Sequence, residues 1–380
     1  MNHVKIALFI SSFNFGGAER QFVTLANGLS KIGYKVTVIS LYKEGYFVNN
    51  LDDENIDIIY LNRTSRWKVI VCWLKFIYLI RILKPQILHS YLPVPNLFTI
   101  PIKILYPKIK IILGFRASEL DLPNYKFLTR HTYILQYKLS GFADFAIINS
   151  MAGQKYAISN GVSENKTRVI SNGIDTDYFI FDEKGRNYFR ENLGIPPDTY
   201  LIGIVARPDP MKGHETFLEA ASLLTDARDD VYFVCVGNNE TDYYNHTIKP
   251  NCIEKLTNRL YWIGEQADLP GIYSAMDIMT SPSYFGEGFS NVIAEAMSCG
   301  LHCVVTDVGD STIIIGDDGI VIPTRDPAAL ASAWLKTINE LNTDNERINC
   351  VRRDRIVDCF SVNKLIADTD STFKELIKAA

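Results

Sequence analysis

The chain has 380 residues, 47% of them hydrophobic, and a formal net charge of -4. One hydrophobic core usually stops growing below that length, so two domains of about 150 to 200 residues are expected. The seven cysteines, Cys72, Cys235, Cys252, Cys299, Cys303, Cys350 and Cys359, are odd in number and form no CxxC pair, which argues against a disulfide framework or a thiolate zinc site and predicts a reducing, cytosolic compartment.

The modest total conceals an asymmetry. Residues 1–190 hold 24 Lys+Arg against 14 Asp+Glu, and residues 191–380 hold 15 against 29. No acidic residue falls between Asp57 and Glu119, whereas Arg63, Arg66, Lys68, Lys75, Arg81, Lys84, Lys103, Lys108, Lys110 and Arg116 all do. Such a field attracts a phosphate-bearing partner or an anionic membrane surface. The acidic second half would repel a long polyanion, which makes a nucleic-acid binder the weakest class.

The opening "MNHVKIALFISSFNFGG" reads as a first β-strand ending in a glycine turn and not as a signal peptide. "GAERQFVTLANGLSKIG" follows with Phe22, Leu25, Ala26 and Leu29 at helical spacing and Gly33 as a stop, and "YKVTVISL" is the next strand. That is a βαβ unit, the building block of a parallel sheet. Further strands are predicted at "IDIIYL", "QILHSY", "KIIL" and "DFAIINS". Residues 67–84, "WKVIVCWLKFIYLIRILK", are interrupted by Lys68, Lys75 and Arg81, so a membrane span is not expected. Two readings stay open: a helix packed on the sheet, or one that also lies in a membrane interface with Trp67, Trp73 and Tyr78 at the headgroups.

Around residues 180–198 the composition turns polar and ends in Pro196-Pro197, and the βα rhythm restarts at "YLIGIVA". Two α/β units in tandem are expected, with a boundary near 180–200. The last stretch is helical in pattern, and Asp326 is the predicted N-cap of a helix whose first turn holds Pro327.

Three motifs carry chemistry. In "SPSYFGEGFSNVIAEAMSCG", Gly286 and Gly288 make a turn and Ser290 precedes a helix; free backbone N–H groups and the positive dipole end there suit a phosphate. Glu287 and Glu295, eight positions apart, would repel that anion unless their partners are sugar hydroxyls. In "VARPDPMKGH", Arg207 and Lys212 sit in a loop tightened by Pro208, Pro210 and Gly213, two cations suited to a diphosphate leaving group. In "NFGGAER", Gly16 and Gly17 let backbone approach a ligand at a strand-to-helix turn, although the full GxGxxG is missing.

In this order, and with "VVTDVGD" after them, these motifs resemble the retaining glycosyltransferases of the glycogen-synthase-like and bacterial surface-polysaccharide type, over nearly the whole chain. The resemblance implies an α/β protein of GT-B architecture, two Rossmann-like domains facing a central cleft. Residues 1–185 would be the acceptor-binding domain, 196–355 the nucleotide-sugar-binding domain, and 356–380 a C-terminal helix returning to the first. Glu287 would bond donor-sugar hydroxyls and Glu295 the nucleotide ribose. Arg207 and Lys212 would stabilise the departing diphosphate. The backbone of Gly288, Phe289, Ser290 and Asn291 would support sugar and phosphate, Gly16 and Gly17 would lie near the transferred sugar and distal phosphate, and Ile263, Gly264 and Gln266 would pass by the base. No metal and no cofactor is implied, and the six histidines form no metal-binding pattern.

Two departures stand out. Relatives carry a histidine where "LGFRAS" places Arg116, which would act on a phosphate, a carboxylated sugar or the acceptor's own phosphate. His89 is either an acceptor contact or a structural histidine. In "VGNNE", relatives usually have a second glycine where Asn238 stands, a contact to the donor phosphate or on the acceptor side on this reading. The function implied is transfer of a hexosyl or N-acetylhexosaminyl group from a nucleoside diphosphate sugar, UDP favoured, to a hydroxyl of a lipid-linked glycan, as in lipopolysaccharide or exopolysaccharide assembly. The enzyme would work as a peripheral protein at the cytoplasmic face of the cell membrane. A soluble small-molecule acceptor, a nonhydrolysing sugar-nucleotide epimerase and an inactive sugar-nucleotide-binding subunit are the alternatives.

Overall fold

The computed structural model describes residues 4–14, 16–43, 45–52, 54–62, 69–116, 118, 126–238, 240–249, 254–344 and 350–378. The chain divides into two units, Met1–Gly173 with Val362–Ala380, and Ile174–Ser361. Each is a parallel sheet covered by helices on both faces, the Rossmann-like arrangement expected from the βα rhythm.

The first unit alternates β1 (Lys5–Ile10), α1 (Gly17–Lys31), β2 (Lys35–Ser40), β3 (Ile56–Tyr60), α2 (Val69–Leu83), β4 (Ile87–Tyr91), α3 (Pro93–Thr99), α4 (Ile102–Leu105), β5 (Lys110–Phe115), α5 (Phe127–Leu139), β6 (Phe145–Ile148), α6 (Met151–Ser159) and β7 (Thr167–Val169). The strand order is β3-β2-β1-β4-β5-β6-β7. Ile6 to Ile10 are all buried, because a parallel strand covered on both faces reads as a continuous apolar run.

The second unit holds α7 (Glu183–Asn192), β8 (Tyr200–Val205), α8 (His214–Thr225), β9 (Val231–Val236), β10 (Leu260–Ile263), α9 (Leu269–Ala275), β11 (Ile278–Ser281), α10 (Asn291–Ser298), β12 (His302–Thr306), α11 (Ser311–Ile315), β13 (Ile320–Ile322), α12 (Pro327–Asp344) and α13 (Cys350–Phe360). Its strand order is β10-β9-β8-β11-β12-β13. The Asp326 carboxylate caps α12 by accepting from the Ala329 N–H at 2.9 Å.

The final helix, α14 (Val362–Lys378), belongs to the first unit. Tyr34 donates to Asp370 at 2.7 Å, and Arg168 donates to Thr372 and pairs with Glu375. The changes of unit fall at 173/174 and 361/362, not at 185–196 and 355/356, and a β-bridge joins Ile174 to Ser361.

The earlier boundary has a physical cause. The polar segment near 180–198 is not a linker but contains α7, two of whose arginines turn inward while Glu183, Lys184 and Glu191 stay exposed. Arg186 and Arg190 both reach Asp277, at 2.9 and 3.3 Å, and the Asp277 side chain is wholly buried. The Asp277 carboxylate also accepts from the Leu201 N–H at 2.8 Å. One carboxylate thus ties α7 to the start of two adjacent central strands.

Helix α2 packs inward through Cys72, Phe76 and Ile80, spaced four apart. Its opposite face carries Ile70, Val71, Leu74, Tyr78 and Ile82, each more than half exposed. Trp73 does not share that face: it is turned inward, and its indole donates to the Phe98 carbonyl at 3.2 Å. Arg63, Arg66, Trp67 and Lys68 lie outside the described residues. Among the described residues no helix is long and apolar enough to cross a membrane.

Removing one member of a buried ion cluster leaves the others uncompensated, which costs about 3 to 5 kcal/mol. Asp277→Ala is therefore expected to lower the melting temperature of the second unit by roughly 10 °C, measured by differential scanning calorimetry. Val321→Ala, on an exposed β13 position, is expected to change it by no more than a few degrees.

Candidate active site

In an open parallel sheet, ligands bind beyond the carboxyl ends of the strands where the strand order reverses, because the loops on either side of that point lead to opposite faces. In the second unit the reversal lies between β8 and β11. The loops leaving these two strands carry the Arg207/Lys212 motif and the Glu287 motif, and the structure brings them together.

The contact is close. Lys212 Nζ lies 2.6 Å from Glu287 Oε1, with side chains 26% and 10% exposed. Ser283 donates to the same Glu287 oxygen at 2.8 Å. The Tyr284 N–H donates to the Met211 carbonyl at 2.7 Å, and the Tyr284 and Thr216 hydroxyls are 2.8 Å apart. Arg325 stacks 3.9 Å over the Tyr284 ring.

Gly213 makes this approach possible. It has φ +73, and a Cβ there would stand 2.0 Å from the Pro282 carbonyl oxygen. From below, Gly309 at φ +64 lets the β12–α11 turn press on the Glu287 and Gly288 carbonyls, and the Asp310 N–H donates to Gly288 O at 3.0 Å.

Ser290 stands at the N-cap of α10 but makes no side-chain capping bond. Gly288, Phe289 and Ser290 are buried, and Asn291 is half-buried at the helix start. Arg207 is 68% exposed and its 3.4 Å contact with Asp209 is a surface pair, too weak to hold the guanidinium away from an incoming anion. Asn238 folds its Oδ1 onto the Glu240 N–H at 2.8 Å. Ile263 accepts from the Gly237 N–H at 3.1 Å, while Gly264 is exposed and Gln266 half-buried just beyond.

Glu295 sits differently from its partner Glu287. It is 1% exposed, and its Oε2 accepts from the Tyr273 hydroxyl at 2.9 Å. The neighbouring Cys299 thiol is pushed up by burial and then by the Glu295 charge. Behind Lys212, His214 is fully buried and stacks on Trp262; burial, and then the Lys212 charge, lower its pKa to about 4, so it is neutral at pH 7.

The remaining predicted residues belong to the first unit, whose strand order reverses between β1 and β4. Gly16 is the N-cap of α1 and Gly17 its exposed first residue. A Cβ on Gly16 would stand 2.3 Å from the Glu19 carboxylate. Burial raises the Glu19 pKa, and its carboxyl lies over this glycine turn. His89 is 0% exposed, its Nδ1 3.1 Å from the Ile112 carbonyl. Burial, and then the Arg116 charge, take its pKa to about 3. It is a neutral core histidine with no surface to offer an acceptor in this arrangement. Arg116 lies just past β5, its guanidinium 4.0 Å over the Tyr91 ring.

Sequence reasoning did not single out Tyr284, Tyr273 or Glu19. Glu19 left a signal as an acid in the first helical turn after a glycine pair. The two tyrosines left none, since their partners are 68 and 22 residues away. Among the described residues no group of three or more His, Cys, Asp or Glu is placed to hold a metal ion.

Residues 199–340 match the family model of glycosyl transferases group 1, and residues 15–178 that of Glycosyltransferase Family 4. A curated relative is the UDP-Gal:alpha-D-GlcNAc-diphosphoundecaprenol alpha-1,3-galactosyltransferase of Escherichia coli, 27% identical over 223 residues that cover 57% of this chain and 56% of that protein. The chain spans about half the length of the curated relatives it matches. Among solved structures, a glycosyltransferase from Rickettsia africae ESF-5 aligns over 100% of both chains with TM-score 0.84 and 22% identity. HepE of Anabaena, in complex with UDP-glucose, aligns over 98% of this chain and 100% of its own with TM-score 0.82 and 20% identity. The chain has the GT-B fold and is related to the glycosyltransferases of these two family models.

The Lys212–Glu287 pair leads to a direct expectation. Lys212→Met or Glu287→Gln alone is expected to destabilise the second unit by about 2 kcal/mol. The double variant should lose less than the sum of the two, as read from urea unfolding midpoints.

Proposed function

We propose that the protein is a retaining glycosyltransferase that moves a sugar from a nucleoside diphosphate sugar, UDP favoured, to a hydroxyl of a lipid-linked glycan. The observation that carries this reading is the Lys212–Glu287 pair at the second unit's strand-order reversal, next to the start of α10. A cation, a helix start and exposed Arg207 suit a diphosphate, and a carboxylate beside them suits sugar hydroxyls.

The chemistry on this reading is a front-face displacement. The bond from the anomeric carbon to the β-phosphate oxygen breaks as the acceptor oxygen bonds to the same carbon. The acceptor's proton passes to the departing phosphate. Lys212 and Arg207 neutralise the charge that grows on the diphosphate, the kind of interaction that lowers a barrier because it strengthens in the transition state. Glu287 Oε1 already accepts from Lys212 and Ser283, a geometry suited to orienting a sugar and a lysine rather than to attacking carbon. Glu295 would bond the ribose, with Tyr273 fixing the carboxylate.

A lipid-linked acceptor is supported by the diphosphoundecaprenol named for the Escherichia coli relative. It is supported again by the exposed apolar face of α2, which carries Lys75 and Arg81 on the same helix and suits adsorption to an anionic bilayer. Peripheral work at the cytoplasmic face of the cell membrane follows on this reading.

The test is transfer from a panel of UDP-, GDP-, ADP- and dTDP-sugars to a polyprenyl-diphosphate glycan held in anionic vesicles. Proton NMR of the product should show the donor's anomeric configuration. Lys212→Ala is expected mainly to lower kcat, by about 100-fold, with a smaller rise in donor KM of about tenfold. Equal turnover in wild type and variant, or an inverted product, contradicts the reading.

A further inference from the structure

One residue of the loop after β11 grips the Lys212 loop at two points. The Tyr284 N–H donates to the Met211 carbonyl at 2.7 Å, and the Tyr284 hydroxyl lies 2.8 Å from that of Thr216, in the first turn of α8. Met211 and Thr216 bracket Lys212 in the chain. The Met211 carbonyl and the Lys212 N–H belong to one planar peptide group, and that N–H donates to the Asp209 carbonyl at 2.9 Å. Both ends of the group are bonded, which fixes the direction in which the Lys212 side chain leaves its loop.

The grip is itself held. Thr216 is buried and Tyr284 half-buried, and Arg325 stands 3.9 Å over the Tyr284 ring. Arg325 comes from the loop after β13 with φ +58, a left-handed backbone that a residue with a Cβ rarely adopts. The ring also closes on Gly213, where a Cβ would stand 3.2 Å from Tyr284 Cε1. The preceding residue, Ser283, donates to Glu287 Oε1, the same oxygen that Lys212 approaches to 2.6 Å. Two consecutive residues thus act on both members of the pair, Ser283 on the carboxylate and Tyr284 on the lysine. Packing alone does not require the two hydroxyls, since phenylalanine and valine would fill the same space without them.

We propose that Tyr284 is a positioning residue of the transfer reaction, holding Lys212 Nζ where charge grows on the departing diphosphate. Tyr284 works through the loop and not on the substrate. The role of Lys212 rests on the glycosyltransferase reading, whereas the grip on its loop rests on the contacts alone. A cation fixed in place needs no rearrangement as the charge develops, and a displacement of about 1 Å costs on the order of 100-fold in rate.

The test is a cycle of variants on turnover in the full chain, with the donor and the vesicle-held acceptor of the transfer assay. Tyr284→Phe keeps the ring beneath Arg325 and the backbone bond to Met211 and removes only the hydroxyl. It is expected to lower kcat about tenfold with donor KM rising no more than about threefold. Thr216→Val, which cuts the same bond from the other side, should do the same. The double variant of Tyr284→Phe with Lys212→Ala is expected to be no slower than Lys212→Ala alone, because a tyrosine that works through the lysine then has nothing to position. Losses that multiply in the double variant overturn the proposal, as does an unchanged kcat in either single variant. A merely structural hydroxyl would lower the melting temperature without this coupling. If Tyr284→Phe does not fold, Thr216→Val carries the cycle with the same outcomes. If wild type transfers from no donor, the functional reading fails separately. The grip is then read from urea unfolding: the coupling between Lys212→Met and Glu287→Gln should fall by about half in Thr216→Val, and equal coupling in the two backgrounds overturns the proposal.

Discussion

A lysine and a glutamate 75 residues apart hold together the loops at the carboxyl end of the second unit's sheet. Lys212 closes the loop after β8, Glu287 sits in the loop after β11, and these strands are neighbours at the point where the sheet reverses its order. Their pairing is costly to desolvate and specific in geometry, a combination that fixes loops more than it stabilises a fold. The neighbouring contacts hold the same two loops in register with that pairing. The glycine at 213 has no side chain because the Pro282 carbonyl fills its place. The Tyr284 latch and the Ser283 hydroxyl set the height of the Glu287 carboxylate, and the first turn of α10 begins where that loop ends.

The first unit is organised around a different constraint. Its helix α14 arrives from the far end of the chain, and Gly28 accepts it closely, since a Cβ there would overlap Ile366. Gln21 closes the other side by exchanging two 2.8 Å hydrogen bonds with the backbone of Gly173, the last residue before the chain leaves the unit. Arg116 lies just past β5 with its guanidinium over the Tyr91 ring, while the histidine two residues inside β4 is sealed in the core. The basic half presents exposed apolar and cationic surface on α2, and the acidic half places Arg207 and Lys212 in the loop after β8.

Much of this was legible from local signals. Apolar runs and 3.6-residue spacing marked the strands and helices, and the glycine turns marked where backbone approaches closely. The motif spacing located Lys212, Glu287 and the start of α10, because each is set by its own strand and turn. What stayed hidden depends on distant partners. The polar segment "FDEKGRNYFREN" reads as a boundary, yet Arg186 and Arg190 are satisfied by Asp277, some 90 residues on. His89 reads equally as ligand contact or core residue until β1 and β5 are seen on either side of its strand. Trp73 reads as an interfacial aromatic until its indole finds the Phe98 carbonyl.

The central claim is that the loops after β8 and β11 recognise a diphosphate through Lys212. It is tested most directly by calorimetric titration of UDP and of uridine, without added metal, into wild type and Lys212→Met. Charge-assisted contacts to a diphosphate predict that wild type binds UDP roughly 100-fold more tightly than uridine. The ratio should fall by about tenfold or more in the variant while uridine binding stays the same. An unchanged ratio in Lys212→Met, or a wild type that binds uridine as tightly as UDP, would contradict the account.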